Sequence, residues 1–133
     1  MDKIRKILKE SKTVAIVGLS PREDRPSYRV ASYLKSMGYR IIPVNPNVEE
    51  VLGEKSYADL GSVPEKIDVV DIFRKSEDVS PIVDEAIKIR ANVWMQEGIV
   101  NEQAARRARA AGLLVVMDRC MLKEHKKLPA ALP

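Results

Sequence analysis

The segment from Val17 to Val30, VGLSPREDRPSYRV, holds the residues best suited to grip an anion. It follows a β-branched run, TVAIVG, and leads into a pattern of helical period. Gly18 permits a tight turn, and the guanidinium forks of Arg25 and Arg29 match the paired oxygens of a phosphate. Pro26 has no N–H to leave unpaired, so it suits a first helical turn, and Ser27 is placed to cap. A helix beginning there adds free backbone N–H groups and a partial positive charge. Gly18, Leu19, Ser20, Pro21 and the run Arg25-Pro26-Ser27-Tyr28-Arg29 therefore have the chemistry of a phosphate cradle. By itself, Arg22-Glu23-Asp24-Arg25 reads equally as a solvated, mutually paired turn; the position just after a first strand is what favours the cradle.

Other anion-binding motifs do not fit. A dinucleotide fingerprint needs G-x-G-x-x-G and a carboxylate at the end of the second strand. Here Gly18 stands alone, and the second strand ends in Val44-Asn45-Pro46, with no acid before Glu49. No glycine-rich run ends in Gly-Lys followed by Ser or Thr, which excludes a P-loop. A small NAD(P)-dependent oxidoreductase with an atypical loop stays as an alternative. The single cysteine, Cys120, allows no intramolecular disulfide and leaves too few thiolates for a metal centre. The single histidine, His125, lies in Lys123-Glu-His-Lys-Lys127 and reads as a solvated surface residue without a partner nucleophile.

The elements that must position the loop follow from periodicity. Ile4, Ile7 and Leu8 mark a first amphipathic helix, and residues 13–17 a first strand. Val30, Leu34 and Met37 recur at helical spacing from about Pro26, with Gly38 as the stop. YRIIPVNP is a second strand, in which Pro43 points to distortion or to the sheet edge. Residues 48–64 hold a short strand or turn and a short helix. IDVVDIF is a strand, DVSPIVDEAIKIR a helix, and NVWMQ a strand with Trp94 and Met95 in its core. NEQAARRARAAG is a helix capped by Asn101 and stopped by Gly112, LLVVMD a last strand, and RCMLKEHKKLPAALP a polar tail. Strands alternating with helices of this length predict an α/β fold: a doubly wound, Rossmann-like parallel sheet with helices on both faces. Ligands of such sheets sit beyond the carboxyl ends of the strands, where the loop after the first strand lies.

The chain has 133 residues, the size of one domain spanning 1–133, and is 45% hydrophobic and 32% charged. No apolar run is long enough to cross a membrane, and the N-terminus lacks the apolar stretch of a signal peptide, so a cytoplasmic protein is expected. With 23 Lys and Arg against 19 Asp and Glu spread along the chain, a small anion fits better than nucleic acid. The arginines of the helix at 106–109 read as a solvated face.

Taken together, GLSPREDRPSYRV, YRIIPVNPN, VDIFR, MQEGI and MDRCMLKEHKKL make the chain, from about Ile4 to about Leu128, resemble the family of small stand-alone CoA-binding proteins. That family is similar to the CoA-binding domain at the N-terminus of the succinyl-CoA synthetase α subunit. The resemblance implies that Gly18, Leu19, Ser20 and Arg25 to Tyr28 cradle the CoA pyrophosphate, with Asn45 and Pro46 beside the adenosine. Ile72, Phe73, Arg74, Gln96, Glu97 and Gly98 would border the ligand across the strand ends. The missing carboxylate at Asn45 agrees with a ligand bearing a 3′-phosphate, which an acid would repel. Cys120 has two readings: a small buried side chain, or a thiol that faces the CoA thiol and forms a mixed disulfide with it, Arg119 favouring the thiolate. The implied ligand is CoA or an acyl-CoA, bound without chemistry of the chain's own. A CoA-binding subunit of a split acyl-CoA synthetase is the other reading, and a homo-oligomer or a protein partner stays open. The phosphorylated histidine and further domain of the synthetase have no counterpart in this sequence.

Overall fold

The computed structural model describes residues 2–129. Five parallel strands form the main sheet: β1 (Thr13–Val17), β2 (Arg40–Val44), β5 (Val69–Ile72), β6 (Asn92–Met95) and β7 (Val115–Val116), in the order β2-β1-β5-β6-β7. A hairpin of β3 (Glu50–Val51) and β4 (Glu54–Lys55) fills part of the weakly patterned region. Five α-helices, α1 (Lys3–Glu10), α2 (Pro26–Ser36), α3 (Val79–Lys88), α4 (Glu102–Ala110) and α5 (Met121–Lys126), cover the sheet, and none is long and apolar enough to cross a membrane. The fold is the doubly wound, Rossmann-like α/β sheet that the alternating pattern predicts. β2 lies at the sheet edge, where Pro43 costs no ladder hydrogen bond that a neighbour needs.

The strands are nearly continuous apolar runs because both of their faces are covered. One face carries Ala15, Val17, Ile42, Val70, Ile72, Val93 and Met95 against α3 and α4. Ala86, Ala104, Ala105 and Ala108, all buried, are small enough to let these two helices approach closely. The other face carries Val14, Ile16, Val69, Trp94 and Val116 under α1, α2 and α5. Trp94 is fully buried, and its indole N–H is satisfied by the Arg119 carbonyl at 2.8 Å.

Helix ends follow the sequence signals closely. The Asn101 side chain accepts from the Ala104 N–H at 3.0 Å, and Gly38 and Gly112 take the left-handed conformation at the ends of α2 and α4. Two expectations change. The last strand shortens to Val115–Val116 because Asp118 turns left-handed (φ 58°) and redirects the chain. The segment read as a polar tail forms α5, seated by Met121 in the core, while Ala130–Pro133 lie outside the described residues.

Candidate functional site: a crevice at the carboxyl ends of the strands

Strand order reverses between β1 and β5, and the chain at the ends of these two strands is drawn together. Gly18 ends β1 with φ 87°, and a Cβ placed on it would stand 2.3 Å from the Phe73 carbonyl oxygen. Only glycine allows both the conformation and the approach. Beyond it opens a cavity of about 340 Å³ lined by Gly18, Ser20, Arg22, Arg25, Pro26, Ser27, Asn45, Phe73 and Arg74.

A short hydrogen-bond chain shapes the rim. The buried Ser27 hydroxyl accepts from the Ser20 N–H at 3.0 Å, and the Ser20 hydroxyl accepts from the Arg22 N–H at 3.1 Å. Asn45 donates from its side-chain amide to the Leu19 carbonyl at 3.0 Å and accepts from the Asn47 N–H at 2.9 Å, tying the end of β2 to the loop after β1. Pro26 opens α2 as its first residue, which aims the positive end of that helix at the cavity. The helix cap is Arg25, without a side-chain cap bond; Ser27 is used to hold Ser20 instead of capping.

The cavity is electropositive. Its lining includes Arg22, Arg25 and Arg74 but no Asp or Glu. Arg22 pairs with Asp24 at 3.3 Å, so the solvated-turn reading holds for that pair although Arg22 also faces the cavity. Arg25 and Arg74 form no ion pair among the described residues, leaving two guanidinium groups free for an anion.

The remaining site residues inferred from sequence fall into three places. Leu19 is buried in the core, Tyr28 packs half-buried at its margin, and Pro21 and Pro46 are exposed beside the cavity without lining it. Arg29 lies outside the cavity and donates to the Asp24 carbonyl at 2.8 Å, so it braces the loop. Ile72 points into the core on the α3–α4 face, leaving Phe73 and Arg74 to line the cavity from β5.

Gln96, Glu97, Gly98 and Cys120 gather at the neighbouring ends of β6 and β7. The buried Gln96 accepts from the Met121 N–H at 3.0 Å, the Gly98 N–H donates to the Asp118 carboxylate at 2.7 Å, and Glu97 pairs with Lys123 at 3.0 Å. Together they lock the start of α5 against the sheet. Cys120 is 8% exposed, packed in the same cluster as Trp94 and Met121.

Two features had no signal in local sequence. Asp71, on β5 between Ile16 and Trp94, is fully buried, and neither carboxylate oxygen has a hydrogen-bond partner among the described residues. Burial pushes its carboxyl well above the usual carboxylate range. His125 is not a solvated residue: its Nδ1 lies 2.7 Å from the Tyr33 hydroxyl, and its ring meets Tyr33 and Tyr39 edge-on. Burial lowers its pKa.

The chain is thus a doubly wound sheet with an acid-free, arginine-bearing crevice at its switch point, the place where ligands of such sheets sit. Residues 12–126 match the CoA-binding domain family, and the chain belongs to that family. It is 42% identical over 123 residues to the uncharacterized protein YneT of Bacillus subtilis (strain 168), covering 92% of this chain and 91% of that one. It superposes on the solved structure of a hypothetical protein from Pyrococcus horikoshii OT3 with a TM-score of 0.91 and 44% identity, over 95% of this chain and 89% of that one. It is also 28% identical over 95 residues to the ADP-forming acetate–CoA ligase II of Archaeoglobus fulgidus, matching 68% of this chain but 14% of the ligase.

Proposed function

We propose that this chain is a single CoA-binding domain that holds CoA or an acyl-CoA in the crevice at the ends of β1, β2 and β5, and catalyses nothing by itself. The carrying observation is the pair of unneutralised guanidinium groups, Arg25 and Arg74, facing a cavity without a carboxylate at the positive end of α2. On this reading the pyrophosphate sits at the first turn of α2, with Asn45 toward the adenosine. The rest of the ligand crosses the strand ends toward Gln96, Glu97 and Gly98. The lining holds no His, Cys, Asp or Glu, so it offers no nucleophile–base pair for acyl transfer. The burial of Cys120 favours its reading as a small core side chain over a mixed disulfide with CoA.

The similarity to acetate–CoA ligases supports CoA as the ligand, and it also suits a role as the CoA-binding part of a larger assembly with a protein partner. The test is calorimetric titration of CoA into Arg25→Ala and Arg74→Ala. Each loss of a charged hydrogen bond is expected to cost ~1.5–3 kcal/mol of binding free energy. Unchanged affinity in both variants would remove the crevice from the site.

A further inference from the structure

At the opposite ends of β1 and β2, two adjoining hollows of about 400 and 490 Å³ share Leu8, Lys9, Met37 and His125 in their walls. Met37 is 50% exposed there, one of two large apolar side chains so exposed among the described residues. The floor is aromatic: Tyr33 and Tyr39 bracket His125, and Tyr39 is anchored by donating to the Leu8 carbonyl at 2.5 Å. Neither lining contains an Asp or Glu.

Four cations rim this groove, Lys9, Lys12, Arg40 and Lys126. Arg40 is already committed to Glu54 and Glu65. Lys9, Lys12 and Lys126 form no ion pair among the described residues. Lys9 and Lys126 sit in the last turns of α1 and α5, where they also offset the negative helix ends; Lys12 lies outside any helix. His125 lies between these lysines with its Nδ1 2.7 Å from the Tyr33 hydroxyl, which fixes the ring at the wall that the two hollows share.

We propose that this groove is a second ligand site, separate from the CoA crevice, for a carboxylate with an apolar body such as a medium-chain acyl anion. The apolar part packs on Leu8, Tyr33 and Met37, and the carboxylate lies between Lys9 and Lys12 beside His125. The combined size falls in the range of small-molecule sites, and apolar walls with a few convergent donors are their usual make-up. The site stands whether or not the crevice binds CoA.

The probe is octanoate, followed by NMR titration of the full chain, with octylamine as the charge-reversed control and CoA as the reporter of the crevice. Saturable shifts of Met37, Tyr33 and His125 signals with octanoate, absent with octylamine, are expected. Lys9→Met and Lys12→Met should each weaken octanoate about two- to fivefold, as for a partly exposed ion pair, and leave CoA titrations unchanged. Equal binding of octylamine, shifts confined to the Gly18–Ser27 loop, full affinity in both lysine variants, or no saturation would each overturn the site.

Discussion

The two faces of the sheet are built from opposite materials. Under α3 and α4 the buried cluster is apolar, and six of its side chains are alanines. Under α1, α2 and α5 lie the buried polar residues Ser11, Ser27, Asp71 and Gln96, and the thiol of Cys120. The first face holds the shape of the sheet. The second holds the loop and helix that frame the crevice, and it does so with Ser27 gripping Ser20 and Gln96 gripping the start of α5. Polar groups are costly to bury unless bonded, so they stand where a backbone segment has to be fixed for binding. Asp71 departs from that rule, since its side chain has no hydrogen-bond partner among the described residues.

The largest effect should come from the apolar face. Ile42→Ala leaves a cavity in the core of that face and should cost ~2–5 kcal/mol in urea unfolding. CoA affinity per folded molecule should stay unchanged; a matching loss of affinity would mean that the faces do not divide the work.

Asp71→Leu should act in the opposite direction, raising stability at neutral pH by ~1–3 kcal/mol through removal of an unsatisfied buried group. The pH dependence sharpens this. Because the folded carboxyl is raised above its ordinary value of 3.8, the unfolded chain releases the proton first. The wild type should therefore lose stability as pH rises above about 4, with a slope approaching ~1.4 kcal/mol per pH unit, until the folded group itself ionises. Melting curves across pH should show that slope vanish in Asp71→Leu. A slope that persists would place the charge elsewhere.

Much of the fold is readable in the sequence. The β-branched runs TVAIV and VVDI, Pro43 at the edge strand and the stops at Gly38 and Gly112 carry enough local information to place the sheet and its helices. The loop from Gly18 to Ser27 is legible because a lone glycine, a proline and arginines after a first strand have few other uses. Asp71 is not, since one acid within IDVVDIF looks like the polar tooth of a half-exposed strand, and only the covering of both faces buries it. His125 is equally silent. Its partner Tyr33 is 92 residues away, and the lysines around it read as a solvated run. The role of Arg74 rested on the family resemblance, because its nearness to Gly18 comes from strand pairing.

The smallest effect belongs to His125. Burial lowers its pKa below the ordinary 6.5, so the unfolded chain takes up the proton first as pH falls. The stability it contributes is complete above pH 6.5 and is lost on acidification below that value, the reverse of Asp71. His125→Gln should flatten the acid side of the pH–stability curve and leave the alkaline side intact. An unaltered acid limb would assign that slope to other groups.

Selection of CoA by the acid-free crevice can be read from thermal unfolding with CoA, dephospho-CoA and NAD in separate excess. A ligand at about 100 times its dissociation constant stabilises by ~2.7 kcal/mol. A clear rise in melting temperature is predicted with CoA, a smaller one with dephospho-CoA and none with NAD. Stabilisation by NAD alone, or by none of the three, would contradict the account.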